Sequence, residues 1–338
     1  MKKLARFGWL FAIVLLAFTF VTKPAHAQEG AVLGIHILNP AEAQAANALL
    51  KPANSPENSA DDWHFVTIPL SLNDLSKKDE WQQFFDYAKV NHMIPVVRLA
   101  TRFEDGAWKV PTKKDVVDLF AFLGALNWPT DERYVIAFNE VNHATEWGNH
   151  IDPAEYTQTL QFVSDWAKTE KQPNYKVLPA AMDLAAPTGR ETREAFSYLE
   201  QMLATNPDIF KSIDYWNSHS YPNPAFSSSP TMTAKNSVRG FVHELAFIKK
   251  KTDLDLKTFI TETGWSENSA TRNRLAGYYD YMVDKVWSDP RIMAVTPFVL
   301  QGDPGPFSTF TFLNKENQPT LQYVAYQKAI KKLAAKNN

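Results

Sequence analysis

The sequence predicts an α/β protein built as a single-domain (β/α)8 TIM barrel. Eight apolar, β-branched runs of strand length recur about 30–45 residues apart, the spacing of βα units. Helical patterns with recognisable starts fill the intervals. The glycine-rich first turn of a doubly wound sheet, the competing arrangement, is missing: Leu38-Asn39-Pro40 stands in its place, and the chain has only 12 glycines.

The expected strands are 32–38 (VLGIHIL), 64–70 (HFVTIPL), 94–100 (IPVVRLA), 134–140 (YVIAFNE), 176–182 (KVLPAAM), 213–219 (IDYWNSH), 257–262 (KTFITE) and 294–300 (AVTPFVL). Runs apolar throughout read as parallel strands covered on both faces. Between them, Trp81, Phe84, Phe85 and Ala88 recur at helical spacing. Thr112-Lys-Lys-Asp115 is a capping box opening a helix over 116–126. Asp152-Pro153-Ala-Glu155 supplies a cap, an N1 proline and an early acid for 154–169. Stretches 191–204, 236–251, 271–287 and 318–335 complete the helices. The proline- and serine-rich stretch 222–231 reads as a loop on the barrel's active face, with an ordinary surface loop as the alternative.

Residues 1–27 read as a secretory leader: Lys2, Lys3 and Arg6 precede an apolar stretch over 7–21, and Ala25-His26-Ala27 has the small-x-small pattern of a cleavage site. An uncleaved N-terminal anchor is the alternative. The catalytic barrel is therefore expected over 28–338, exported to a periplasm or beyond the cell, with no membrane association after cleavage. The whole chain carries 35 basic and 37 acidic residues, net −2. Losing Lys2, Lys3, Arg6 and Lys23 with the leader makes the remainder more acidic, which argues against a nucleic-acid partner. The absence of cysteine excludes disulfides, thiolate metal sites and cysteine nucleophiles.

Two strands end in a carboxylate: the fourth at Glu140 and the seventh at Glu262. The C-terminal rim of a barrel is where such enzymes keep their chemistry. A pair of rim glutamates is the apparatus of glycosidic-bond hydrolysis, and a retaining mechanism needs them roughly 5–5.5 Å apart. Arg98, inside an otherwise apolar third strand, is expected to point into the mouth and support the glutamates, since a strand arginine is hard to bury without a carboxylate.

Asn139-Glu140 on strand four, with Glu262 in Ile-Thr-Glu-Thr-Gly-Trp on strand seven, resembles clan A of the glycoside hydrolases, the (β/α)8 retaining enzymes that include cellulases, mannanases and other β-glycanases. The resemblance implies that Glu140 is the general acid/base, Glu262 the nucleophile and Asn139 a partner of the sugar 2-hydroxyl. It also implies that His219 and Tyr221, from His-Ser-Tyr after strand six, lie beside the nucleophile. His36, Asn142 and His143 join the expected substrate-binding set, with Trp147 and Trp265 as stacking platforms and Trp108 and Trp216 as weaker ones. Many clan members carry a Trp at the end of strand eight. Here Phe298 or Gln301 is expected to take its place, which leaves the sugar open.

Asn142, His143, Glu146 and His150 also suggest a metal, but their spacing matches no helical zinc pattern, and neither metal nor cofactor is expected. The expected function is hydrolysis of β-linked oligo- or polysaccharides by a monomer through a covalent glycosyl-enzyme intermediate. A degenerate glycan-binding barrel, a transglycosylase and a phosphate-binding barrel enzyme are the alternatives; acidity and the lack of a glycine-rich phosphate loop count against the last.

Overall fold

The computed structural model describes residues 32–51, 63–169 and 174–337. The expected leader at 1–27 lies outside them. The strands are β1 (Val32–Leu33), β2 (Ile35–His36), β3 (His64–Ser71), β4 (Met93–Ala100), a small hairpin of β5 (Phe103–Glu104) and β6 (Ala107–Trp108), β7 (Glu132–Ala137), β8 (Asn174–Pro179), β9 (Trp216–His219), β10 (Thr258–Glu262) and β11 (Ile292–Val295). The helices are α1 (Ala43–Leu50), α2 (Lys78–Val90), α3 (Lys113–Gly124), α4 (Pro153–Thr169), α5 (Ala195–Thr205), α6 (Gly240–Thr252), α7 (Leu275–Lys285) and α8 (Leu321–Asn337).

With β1 and β2 counted as one stave, eight parallel staves form the barrel in chain order. β2 pairs with β3, while β1 pairs with β11, so the first stave joins the two sheets. It divides at Gly34, where a Cβ would lie 1.9 Å from the carbonyl oxygen of Phe65; the close approach of neighbouring backbone requires glycine. On the far side, β8 and β9 share no continuous ladder. They meet through Asp214, whose backbone N–H donates to Val177 O (2.9 Å) and whose carboxylate accepts from Val177 N–H (2.8 Å). Asn217 Nδ2 donating to Pro179 O (3.1 Å) and a lone bridge between Asp183 and His219 complete that seam.

Side chains alternate across each stave. Phe65, Ile94, Val96, Tyr134, Ile136, Leu178 and Phe259 fill the lower barrel, while Val66, Val97, Val135 and Ile260 face the larger apolar layer under the helices. Above the lower plug lies a buried polar layer. Thr67 and Thr296 share a 2.7 Å hydrogen bond, Thr296 donates to Thr261 O, and Thr261 donates to Asn217 Oδ1 (2.6 Å). Each polar atom in that chain has a partner, which is what makes such a layer tolerable inside a barrel.

The observed staves stop short of several expected ends: β7 at Ala137, β8 at Pro179 and β11 at Val295. At the rim the backbone leaves the ladder to carry side chains over the mouth. Phe138 (φ 73°) and Glu140 (φ 25°) adopt left-handed conformations there, as residues at functional rims often do. The capping box forms as expected, Thr112 and Asp115 exchanging side-chain bonds at the start of α3. Helix α1 and the β5–β6 hairpin had no expected counterpart. No helix among the described residues is long and apolar enough to cross a membrane.

Candidate active site

Arg98 follows Ile94 and Val96 on the inner face of β4, so alternation alone carries its side chain into the mouth. Nη1 donates to Asn139 Oδ1 (2.6 Å) and to Glu262 Oε1 (2.8 Å). Glu262 would face outward with Ile260 if alternation held. The β10–β9 register shifts between Ile260 and Glu262, and that bulge re-aims the carboxylate into the barrel. Its second oxygen, Oε2, accepts from the Tyr221 hydroxyl (3.0 Å) and lies 3.7 Å from His219 Nδ1.

His219 Nδ1 also lies 2.8 Å from Glu140 Oε1, so one ring nitrogen stands between the two carboxylates. Atoms of Glu140, His219 and Glu262 all lie within 4.8 Å of one another. His36 sits beneath, its Nδ1 bonded to Thr261 O (3.2 Å) and 3.8 Å from Glu262 Oε1.

Burial disfavours charge on Glu262, yet His219, the Arg98 guanidinium and the Tyr221 hydroxyl hold its carboxyl below the usual range. Burial likewise opposes a charged His219, but Glu262 and Glu140 outweigh it and raise the ring's pKa. Burial and the two carboxylates push the Tyr221 hydroxyl up, keeping it a donor. His36 goes the other way: burial drives it down to about 3, so the ring is neutral. The mouth thus holds an ionised Glu262 braced by cations and a hydroxyl, beside the half-buried Glu140.

Arg98, Asn139, Glu140, Tyr221 and Glu262 line a cavity of about 490 Å³, while the expected binding residues His36 and His219 are buried behind that lining. One wall is aromatic: Phe226, Phe298, Phe307 and Phe310 lie along it with Tyr221, Phe226 and Phe310 meeting edge to face at 5.1 Å. Trp108, Lys109, Glu146, and His143 paired to Asp183 (2.9 Å) also line the cavity. Burial within this pair is outweighed by mutual attraction, which raises His143 and lowers Asp183.

Several expected binding residues are elsewhere. Trp265 is fully buried; past Gly264 (φ 133°) its ring enters the outer core and Nε1 donates to Ser228 O (2.8 Å). Trp147 backs the cavity but is only 1% exposed, edge-on to Phe138 and Tyr156, with Nε1 bound to Glu155. Neither offers a ring face to a sugar. Trp216 is buried too, whereas Trp108 does line the cavity. Asn142 is 0% exposed and spends its amide on the backbone of Asp183 and Arg193. Gln301 turns away to Asn317, so Phe298 holds the strand-eight position. The residues that suggested a metal diverge: His143 binds Asp183, and His150 binds Glu155. Sequence reasoning missed Asp183, Phe226, Phe307 and Phe310 as cavity residues. The proline- and serine-rich context of Phe226 was the available signal.

No protein-family model matches the chain, and no curated protein sequence does. Solved structures do match, among them several glycoside hydrolases. A family 39 glycoside hydrolase from Bacteroides cellulosilyticus WH2 is similar with a TM-score of 0.61 at 16% identity, over 90% of this chain and 64% of that one. An endo-β-1,4-glucanase from Xanthomonas axonopodis pv. citri gives 0.57 at 13% identity, over 90% and 99%. A GH128 (subgroup II) endo-β-1,3-glucanase from Sorangium cellulosum gives 0.53 at 17% identity, over 89% and 97%. At these identities the likeness is one of fold.

Proposed function

We propose that the chain is an exported glycoside hydrolase that cleaves β-linked glycans with retention, Glu262 acting as nucleophile and Glu140 as acid/base. The observation that carries this reading is the approach of the two carboxylates to within 4.8 Å, the spacing of direct attack; inverting enzymes leave roughly 6.5–9.5 Å for a water. The leader-like first 27 residues support export.

In the first step a Glu262 oxygen bonds to the anomeric carbon as the glycosidic C–O bond breaks, and Glu140 gives its proton to the departing oxygen. In the second, Glu140 takes a proton from water, the water oxygen attacks the anomeric carbon, and Glu262 leaves as carboxylate. Arg98 and Tyr221 keep Glu262 ionised between turnovers. Asn139 turns its oxygen to Arg98, leaving its N–H groups as donors for the sugar 2-hydroxyl. The phenylalanine wall, together with Trp108, takes the stacking role expected of Trp147 and Trp265.

The direct test is turnover of a panel of β-1,3- and β-1,4-glucans, xylan and aryl β-glycosides. Glu262→Gln and Glu140→Gln each abolish hydrolysis while keeping the wild-type melting transition, and azide restores glycosyl transfer to a Glu140→Ala variant. Wild-type rates in either Gln variant, or tight glycan binding without turnover by the native chain, would overturn the assignment.

A further inference from the structure

The β5–β6 hairpin stands beside the mouth and takes no part in the chemistry above. At its tip, Asp105 (φ 55°) and Gly106 (φ 80°) adopt the left-handed pair that a two-residue hairpin turn demands. The hairpin is fastened at several points. Lys109 N–H donates to Arg102 O (3.0 Å), Thr101 Oγ1 to Lys109 O (2.6 Å), Gly148 N–H to Trp108 O (2.8 Å) and Asn149 Nδ2 to Asp105 O (3.2 Å). Antiparallel pairing sets Glu104 opposite Ala107 and Phe103 opposite Trp108, so each pair shares one face. Ala107 is the buried member, so the hairpin packs by that face. The other face carries Phe103 and Trp108, whose rings meet edge to face at 5.6 Å.

Trp108 lines the catalytic cavity, and Phe103 lies against it outside that lining, 58% exposed. The exposed phenylalanines among the described residues are Phe103 and Phe307. Phe307 is itself in the lining and meets Phe298 edge to face at 5.0 Å. Each exposed ring therefore abuts an aromatic ring of the cavity. Phe103 fills no core, so its place next to Trp108 calls for a role outside folding.

We propose that Phe103 is an outer glycan subsite: a β-linked chain leaves the cavity past Trp108 and lays a sugar unit on the Phe103 ring. This rests on the glycosidase reading and names its substrate as a long oligosaccharide or polysaccharide. A β-linked sugar with equatorial hydroxyls presents a face of C–H groups, which packs on an aromatic ring while the hydroxyls stay in water. Because the hairpin is already fastened, binding there orders little of the protein, and more of the contact appears as affinity.

Two readouts decide the matter. The first is the ratio of kcat/KM on the longest accepted oligosaccharide to that on an aryl β-glycoside. Phe103→Ala lowers this ratio roughly 2- to 10-fold, the range of a single aromatic contact, and Phe103→Trp restores it. The second needs no turnover: in gels holding soluble β-glucan or xylan, Glu262→Gln is retarded, and Glu262→Gln with Phe103→Ala is retarded less. A wild-type ratio in Phe103→Ala, or equal retardation of the two chains, would overturn the proposal. So would a wild-type dimer that Phe103→Ala converts to a monomer in sedimentation, which would give the ring to a second copy of the chain. Polysaccharide binding that depends on Phe103 without any cleavage sinks the glycosidase reading and keeps the subsite. Cleavage with a ratio indifferent to Phe103 does the reverse, and a chain that neither binds nor cleaves glycans removes both.

Discussion

At the scale of single residues, the centre depends on how charges are shared. Arg98 is the only guanidinium lining the described cavity, and it serves Asn139 and Glu262 through one nitrogen. A lysine keeps the charge but hydrates strongly and lacks the planar fork. Arg98→Lys is therefore expected to lower kcat on the order of 10²-fold, with KM changed much less. Tyr221→Phe removes one neutral donor from Glu262 Oε2 and costs roughly tenfold in the same parameter. Steady-state kinetics on one accepted glycan checks both; a change confined to KM would mean these groups bind substrate and do not tune the nucleophile.

At the scale of elements, alternation explains how much of the site was legible. The cost of burying an arginine aims Arg98 on β4 at the mouth, and the His-Ser-Tyr resemblance aims His219 on β9 there; alternation along their strands explains why both point inward. Glu262 breaks that rule. Its motif signalled chemistry, but the bulge that turns it inward is a matter of register against β9 and leaves no mark in composition. The tryptophans failed for a related reason. Aromatic residues near strand ends were read as platforms, but burial depends on where the chain goes after leaving the sheet. Trp265 became a strut, tying the loop of Ser228 to the core, and that loop presents Phe226 to the cavity. Trp265→Ala is accordingly expected to destabilise the fold by about 3–5 kcal/mol in denaturant titration. Phe226→Ala, by contrast, leaves stability nearly unchanged and raises KM roughly 2- to 10-fold, the worth of one aromatic stack. Wild-type KM in the Phe226 variant would remove the phenylalanine wall from the binding surface.

At the scale of the whole molecule, buried acids set the response to pH. Glu244 behind β9 accepts from Ser218 (2.5 Å), and Glu42 holds the first loop through Leu38 N–H and Asn39 Nδ2. Burial pushes both up to about 7. In the unfolded chain they ionise near 4.5, so the folded state retains protons the unfolded state has lost. Their contribution is full below pH 4.5 and is lost as pH rises toward 7, on the order of 2–3 kcal/mol each. Glu262 and Asp183, both lowered, act oppositely and lose their contribution only in more acidic solution. Urea unfolding is expected to give greater stability at pH 5 than at pH 8, with a smaller difference in Glu244→Gln. Nothing in the sequence announced this, because a glutamate inside a helix pattern reads as solvated until the packing around it is known.

The seam between β8 and β9 has a bearing on durability. Elsewhere in the barrel, backbone ladders bind each stave to the next, but here one backbone bond from Asp214 to Val177 and the lone Asp183–His219 bridge are supplemented by the side chains of Asp214 and Asn217. A hoop gives way at its weakest join, and His219, the ring between the two glutamates, is mounted on that join. Amides over 177–183 and 216–219 are therefore expected to exchange with deuterium before those of β3 and β4. Heating is expected to abolish the proposed glycan hydrolysis several degrees before the helices melt. Asp214→Ala and Asn217→Ala are then expected to lower the temperature at which activity is lost more than the temperature at which the helices melt.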